Sequence, residues 1–173
     1  MDLMEAIKKR YSCRAYADRP VEADKLAFVL EAARLAPSAR NLQDWRFVVV
    51  TDPDTRKELQ AASANQEFVG QAPVVIAACS VSNRIMNMCA QPYASINVAI
   101  ALEHIALAAT SQGLATCWIG SFDPHSVRQI LNIPSHIAVV ELMTLGYPQG
   151  RPASPKRLST AEIACREKWQ FQS

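Results

Sequence analysis

The apolar stretch from Pro92 to Gln112, closed by Gly113, constrains this chain more than any other feature. Its length would suit a membrane span, but Asn97, Glu103 and His104 fall near its middle, where polar and ionisable side chains are costly in lipid. A central helix from about Tyr93 to Gln112, buried in protein, satisfies the same pattern. Gly113 suits the cap that ends such a helix. At 173 residues the chain fits one domain, 1–173, and is long enough to bury a core around it.

The remaining pattern alternates helices and strands. Asp2 to Lys9 reads as a short helix, and Ser12 to Tyr16 as extended. Leu26, Val29, Leu30 and Ala33 follow the 3.6-residue period of a helix over Ala23 to Ala36, stopped by Pro37. Trp45 to Thr51, Val74 to Cys79, Ala115 to Ile119 and Ile137 to Leu145 read as buried strands. Helices are expected over Thr55 to Ser63, from the Asp123-Pro124 start to Leu131, and after the Ser159-Thr160-Ala161-Glu162 capping box. Residues 80 to 91 are ambiguous. The alternation predicts a sheet with helices on both faces.

Several functions are disfavoured by what is missing. Five glycines, at 70, 113, 120, 146 and 150, allow neither GxGxxG nor a P-loop. His104, His125 and His136 form no HExxH, and Cys79 and Cys89 lack metal-ligand spacing, so no metal site is expected. A formal charge of +2 does not suggest a nucleic-acid-binding domain. Five cysteines without a CxxC pair, and an acidic amphipathic start, point to a reducing cytoplasm. Cys117 reads as a buried strand thiol rather than a nucleophile, and His104 as a core histidine.

What remains is anion binding by side chains. In an extended segment, residues two apart face the same way, so Arg10, Ser12 and Arg14 offer two cations and a hydroxyl to one phosphate. Lys156 and Arg157 could add charge from the far end of the chain. Gly120 and Ser121 follow a strand end, where consecutive N–H groups can face a ligand.

These segments resemble, in order, those of the FMN-dependent nitroreductase family. Arg10-Tyr11-Ser12-Cys13-Arg14 is similar to its R-R-S-x-R opening. Ala36-Pro37-Ser38-Ala39-Arg40-Asn41-Leu42-Gln43-Asp44-Trp45 is similar to A-P-S-x-x-N-x-Q-P-W. Gly113 to Gly120 resembles G-L-G-T-C-W-I-G, and Leu145-Gly146-Tyr147-Pro148 with the basic pair before Ser159 completes the set.

The resemblance implies an α+β fold, a three-layer α/β/α arrangement around a mixed, mainly antiparallel sheet. It also implies a homodimer with FMN in two interface clefts. Arg10, Tyr11, Ser12 and Arg14, with Lys156 or Arg157, are then expected about the phosphate. Pro37, Ser38, Ala39 and Asn41 would come from the partner subunit to border the ring. Asn65 would contact the flavin, Ile119 would belong to the same cofactor site, and the backbone amides of Gly120 and Ser121 would face N5 and O4. NAD(P)H would give hydride to N5, and an acceptor such as a nitroaromatic or quinone would take it in a second step, with no catalytic side chain. A flavin-binding or redox-partner protein without turnover is the alternative, as is a specialised reductase or dehalogenase of the same fold. Neither membrane nor nucleic acid enters this reading.

The chain departs from the family pattern at Tyr11, Ala115 and Asp44, the last standing where proline is common. Without that proline the connector is expected to be less rigid, with a negative charge near the site. Gln43 and Trp45 are expected to anchor it to the sheet. Asn87 to Tyr93, including Cys89, could line the acceptor side.

Overall fold

The computed structural model describes residues 1–82, 91–150 and 156–171. A four-stranded sheet of β1 (Trp45–Val50), β2 (Val74–Ser80), β3 (Ala115–Ile119) and β4 (Ala138–Gly146) lies at its centre in the order β1-β2-β4-β3. All three pairings are antiparallel. The parallel contribution comes from the N-terminal arm, where Ser12 bridges Thr116 and the Cys13 amide donates to the Thr116 carbonyl at 2.9 Å.

β2 is buried at every position, because helices cover both faces of the sheet. Val75, Ala77 and Cys79 face one core, shared with α3 (Pro53–Ala62), α4 (Glu67–Gln71) and α6 (Pro124–Ile130). Val74, Ile76 and Ala78 face the other, shared with α2 (Ala23–Arg34) and α5 (Tyr93–Ser111). The two-residue period of the strand thus separates one apolar run into two cores.

α1 (Leu3–Lys9) packs against α5, which is the central helix expected: Val98, Ala101, Leu102, Ile105, Ala106 and Ala109 are all fully buried. Gly113 ends it with φ +74°, while the Gly113 amide reaches the Thr110 carbonyl and the Leu114 amide that of Ala109. This is a Schellman cap, which a residue with a Cβ would strain. Asp52 and Asp123 cap α3 and α6 through side-chain oxygens, as the Asp-Pro pairs predict.

Two short elements were not expected: α4 and a 3₁₀ turn over Ala39–Asn41. Each is about one turn long, too short to show a period. The capping box at Ser159 and Glu162 is present, but α7 (Thr160–Ile163) is four residues long.

Candidate functional site

α1 stops at Arg10, whose ψ of 132° turns the chain extended along the outer edge of β3. Cys13 is then directed inward, 1% exposed, so alternation sends Ser12 and Arg14 outward. The Arg14 guanidinium carbon lies 6.0 Å from the centroid of Phe68 in α4. The Tyr11 hydroxyl donates to the Gly150 carbonyl at 3.0 Å. A cleft of about 400 Å³ opens here, lined by Tyr11, Ser12, Cys13, Arg14, Gln149 and Gly150 among others.

Both arginines act on β3. Burial pushes the Cys117 thiol up, and Arg14 and Arg10 draw it back down. Burial likewise raises Glu103 in α5, against the pull of Arg10 and His104. Cys117 is 1% exposed, which suits the structural role expected of it rather than that of a nucleophile.

Beyond Ile119 the chain leaves the sheet, and Gly120 and Ser121 are exposed. Neither amide N–H has a hydrogen-bond partner among the described residues. The turn that carries them is fixed from α3: the Asp123 amide donates to the Ala62 carbonyl at 2.8 Å. Gln66 Nε2 donates to the carbonyls of Ser121, at 3.3 Å, and Ser63, at 3.0 Å. Ala64 and Asn65, just before Gln66, hold φ of 52° and 55°. Gln66 escaped sequence reading, because its role depends on a partner 55 residues away.

Glu141 was also missed. A Cβ built on Gly120 would lie 3.6 Å from Glu141 Oε1, so this carboxyl stands directly behind the turn.

The polar connector before β1 is organised differently from expectation. Asp44 is 3% exposed and Asn97 0%. Asp44 Oδ1 accepts from Asn97 Nδ2 at 2.7 Å, Oδ2 accepts from the Ser80 hydroxyl at 3.0 Å, and the Asp44 carbonyl accepts from the Val81 amide at 2.9 Å. Asn97 Oδ1 accepts in turn from the Ala39 amide at 3.0 Å. Asp44 is therefore a buried tether rather than a charge on a loosened loop. Its hydrogen bonds hold a segment in which Arg40, Asn41 and Gln43 adopt φ of 53°, 54° and 48°, a region that costs energy for residues with side chains.

Trp45 is buried as expected, and Gln43 meets β1 through its backbone, its carbonyl accepting from Arg46 Nη1 at 3.1 Å, rather than through its side chain. Its side chain donates to the Asn41 carbonyl, and its amide to Ser38 Oγ at 2.9 Å, closing the loop on itself. Pro37 and Asn41 are exposed, while Ser38 and Ala39 are half-buried.

The expected residues thus form two groups. Arg10, Tyr11, Ser12, Arg14, Asn65, Ile119, Gly120 and Ser121 gather along β3. Pro37, Ser38, Ala39 and Asn41 lead into β1, at the opposite edge of the sheet. Three strand spacings, roughly 14 Å, separate those edges. Lys156 and Arg157 are exposed, and no described contact ties them to either group. Of the stretch proposed for the acceptor side, residues 87–90, including Cys89, lie outside the described residues, and Tyr93 opens α5.

The chain is 34% identical to a protein of Thermus thermophilus named NADH dehydrogenase, over 88% of this chain and 91% of that one. A Bacillus subtilis protein named FMN reductase [NAD(P)H] is 25% identical, over 99% and 76% of the two chains. The crystal structure of a nitroreductase family protein from Clostridium difficile 630 superposes with a TM-score of 0.87 at 31% identity, covering 98% of this chain and all of that one. The family model described as "Nitroreductase family" matches residues 7–66 and 60–147, so this chain belongs to the nitroreductase family.

Proposed function

We propose that this chain is an FMN-dependent NAD(P)H oxidoreductase, working as a homodimer with a flavin in each of two clefts between subunits. The observation that carries this reading is the pair of amides at Gly120 and Ser121, without a partner among the described residues and set on the same edge of the sheet as Arg10, Ser12 and Arg14. Two guanidinium groups and a hydroxyl suit a phosphate, and two free amides suit the polar edge of a flavin ring, so the donor set fits FMN. The names of the Thermus and Bacillus relatives agree with it.

The topology supports the dimer. The connector with Ser38 and Asn41 enters the edge of the sheet opposite Gly120, so a second copy is the natural source of those groups at one ring. Leu158, Ile163 and Trp169, 64%, 64% and 79% exposed, suit burial against that copy. Cys13, Cys79 and Cys117 are free thiols, in keeping with a reducing cytoplasm and a single domain working there.

When bound, FMN supplies hydride exchange at N5 between NAD(P)H and a nitroaromatic, quinone or other acceptor, in two successive steps. The chain's part is to bind and orient. Arg10, Ser12 and Arg14 hold the phosphate, with Lys156 or Arg157 adding charge. Pro37, Ser38, Ala39 and Asn41 of one copy and Tyr11, Asn65 and Ile119 of the other enclose the ring. The Gly120 and Ser121 amides would donate to the ring and stabilise negative charge on it, without having to reorganise.

Purification with added FMN tests the reading. A yellow dimer that releases flavin on denaturation, and that bleaches anaerobically with NADH or NADPH, is expected. Colourless protein sinks the flavin assignment, a monomer sinks the shared cleft, and flavin unbleached by both nucleotides sinks the reductase activity.

A further inference from the structure

Glu141 is the one ionisable residue in β4, a strand flanked by β2 and β3 in the middle of the sheet. It stands opposite Ala78, and the strand pairing slips next to it: Cys79 pairs with Val139, leaving Val140 as an extra residue. On the other side, Ile119 pairs with Leu142, so Gly120 comes beside Glu141. The two carboxylate oxygens lie 3.6 and 3.9 Å from a Cβ built on Gly120, and among the described residues beyond its chain neighbours no other heavy atom stands within 4 Å of that point.

The carboxyl is half-buried and has no cation partner among the described residues. An apolar side chain would serve this strand at lower cost, because an unpaired carboxylate loses hydration there. Its neighbours across the sheet, Ala78, Trp118 and Gly120, carry no charge. Burial raises its pKa, the Ile119 backbone lowers it, and no charged side chain enters.

We infer that Glu141 sets the reduction potential of the bound flavin, its carboxylate placed behind the Gly120 amide to oppose negative charge on the ring. This rests on the flavin reading above. The electron pair arrives as hydride from NAD(P)H, which leaves as NAD(P)⁺, and Glu141 neither gives nor takes a proton in that step. A fixed negative charge near the ring destabilises the reduced form and lowers the potential. The reduced protein then passes hydride to its acceptor more readily. Glu141 is thus a positioning residue, acting through charge and the Gly120 amide.

The test compares FMN-loaded wild type with Glu141→Gln, each equilibrated anaerobically with a reference dye. Glu141→Gln is expected to move the equilibrium toward reduced flavin on the order of tenfold, about 30 mV for a two-electron couple. Glu141→Met, apolar and of similar length, must shift it the same way, and Glu141→Asp must stay nearer wild type. Should Glu141→Gln fail to fold, the methionine variant decides alone. Potentials equal to wild type in a variant that binds FMN overturn the role of Glu141 and leave the flavin reading intact. A wild type that binds no FMN overturns both.

Discussion

Asn97 in α5 donates to Asp44 at 2.7 Å and accepts from the Ala39 amide at 3.0 Å, so one buried side chain joins both ends of the connector before β1. Replacing it by alanine removes a donor from a buried carboxylate and leaves the Ala39 amide unpaired. Asn97→Ala is expected to cost about 3 kcal/mol, read as a lower urea midpoint at unchanged m-value. Asp44→Asn, which keeps the shape, should cost less. An Asn97→Ala midpoint equal to wild type would remove the tether from this account.

Arg14 stands outward beside Phe68, at the mouth of the cleft with Ser12. Arg14→Ala is expected to weaken FMN binding by about 1.5 to 3 kcal/mol, the value of a charge-assisted hydrogen bond. Flavin fluorescence titration of the apoprotein measures it, and unchanged affinity would refute the phosphate assignment.

Tyr16 holds the N-terminal arm to the sheet. Its buried hydroxyl bonds to the Cys13 carbonyl at 3.0 Å and to Thr144 Oγ1 at 2.7 Å. Tyr16→Phe keeps the ring but takes away both bonds, leaving Thr144 Oγ1 only the Cys117 carbonyl at 3.4 Å, and should cost about 1 to 3 kcal/mol in urea unfolding. A smaller loss would mean that the arm is held by its backbone bridges alone.

Gly146 has no room for a side chain: a Cβ would come within 2.5 Å of Pro73 Cδ and 3.0 Å of Tyr16 Cδ1. Neither ring can swing aside. Gly146→Ala is expected to destabilise by about 1 to 3 kcal/mol through overpacking. Gly113→Ala meets open space and pays only for φ +74°, about 1 kcal/mol. Thermal melts that rank the two in reverse order would contradict this.

Alkali should weaken the fold. Burial pushes the Cys79 thiol up to about 11, and burial raises Tyr16 as well. Above about pH 9 the unfolded chain loses the Cys79 proton while the folded chain keeps it. The unfolded state then binds fewer protons, so stability present below pH 9 declines as pH rises toward 11. Denaturant midpoints across that range should fall, and fall less steeply in Cys79→Ala. A flat profile would show that the thiol is not held protonated by the fold.

Much of this architecture is written locally. The 3.6-residue period of α2, the Asp-Pro starts of α3 and α6, and Gly113 after α5 each act within one turn of chain, so sequence alone determines them. The outward pair Ser12 and Arg14 is likewise a matter of strand alternation. Other features are decided only by tertiary structure. Asp44 looked like a loose charge because Ser80 and Asn97, which bury and bond it, lie 36 and 53 residues away. Gln66 and Glu141 gained their places beside Ser121 and Gly120 in the same way. A side chain's period and cap are fixed by its neighbours in sequence, but its burial and partners are set only when distant strands pair.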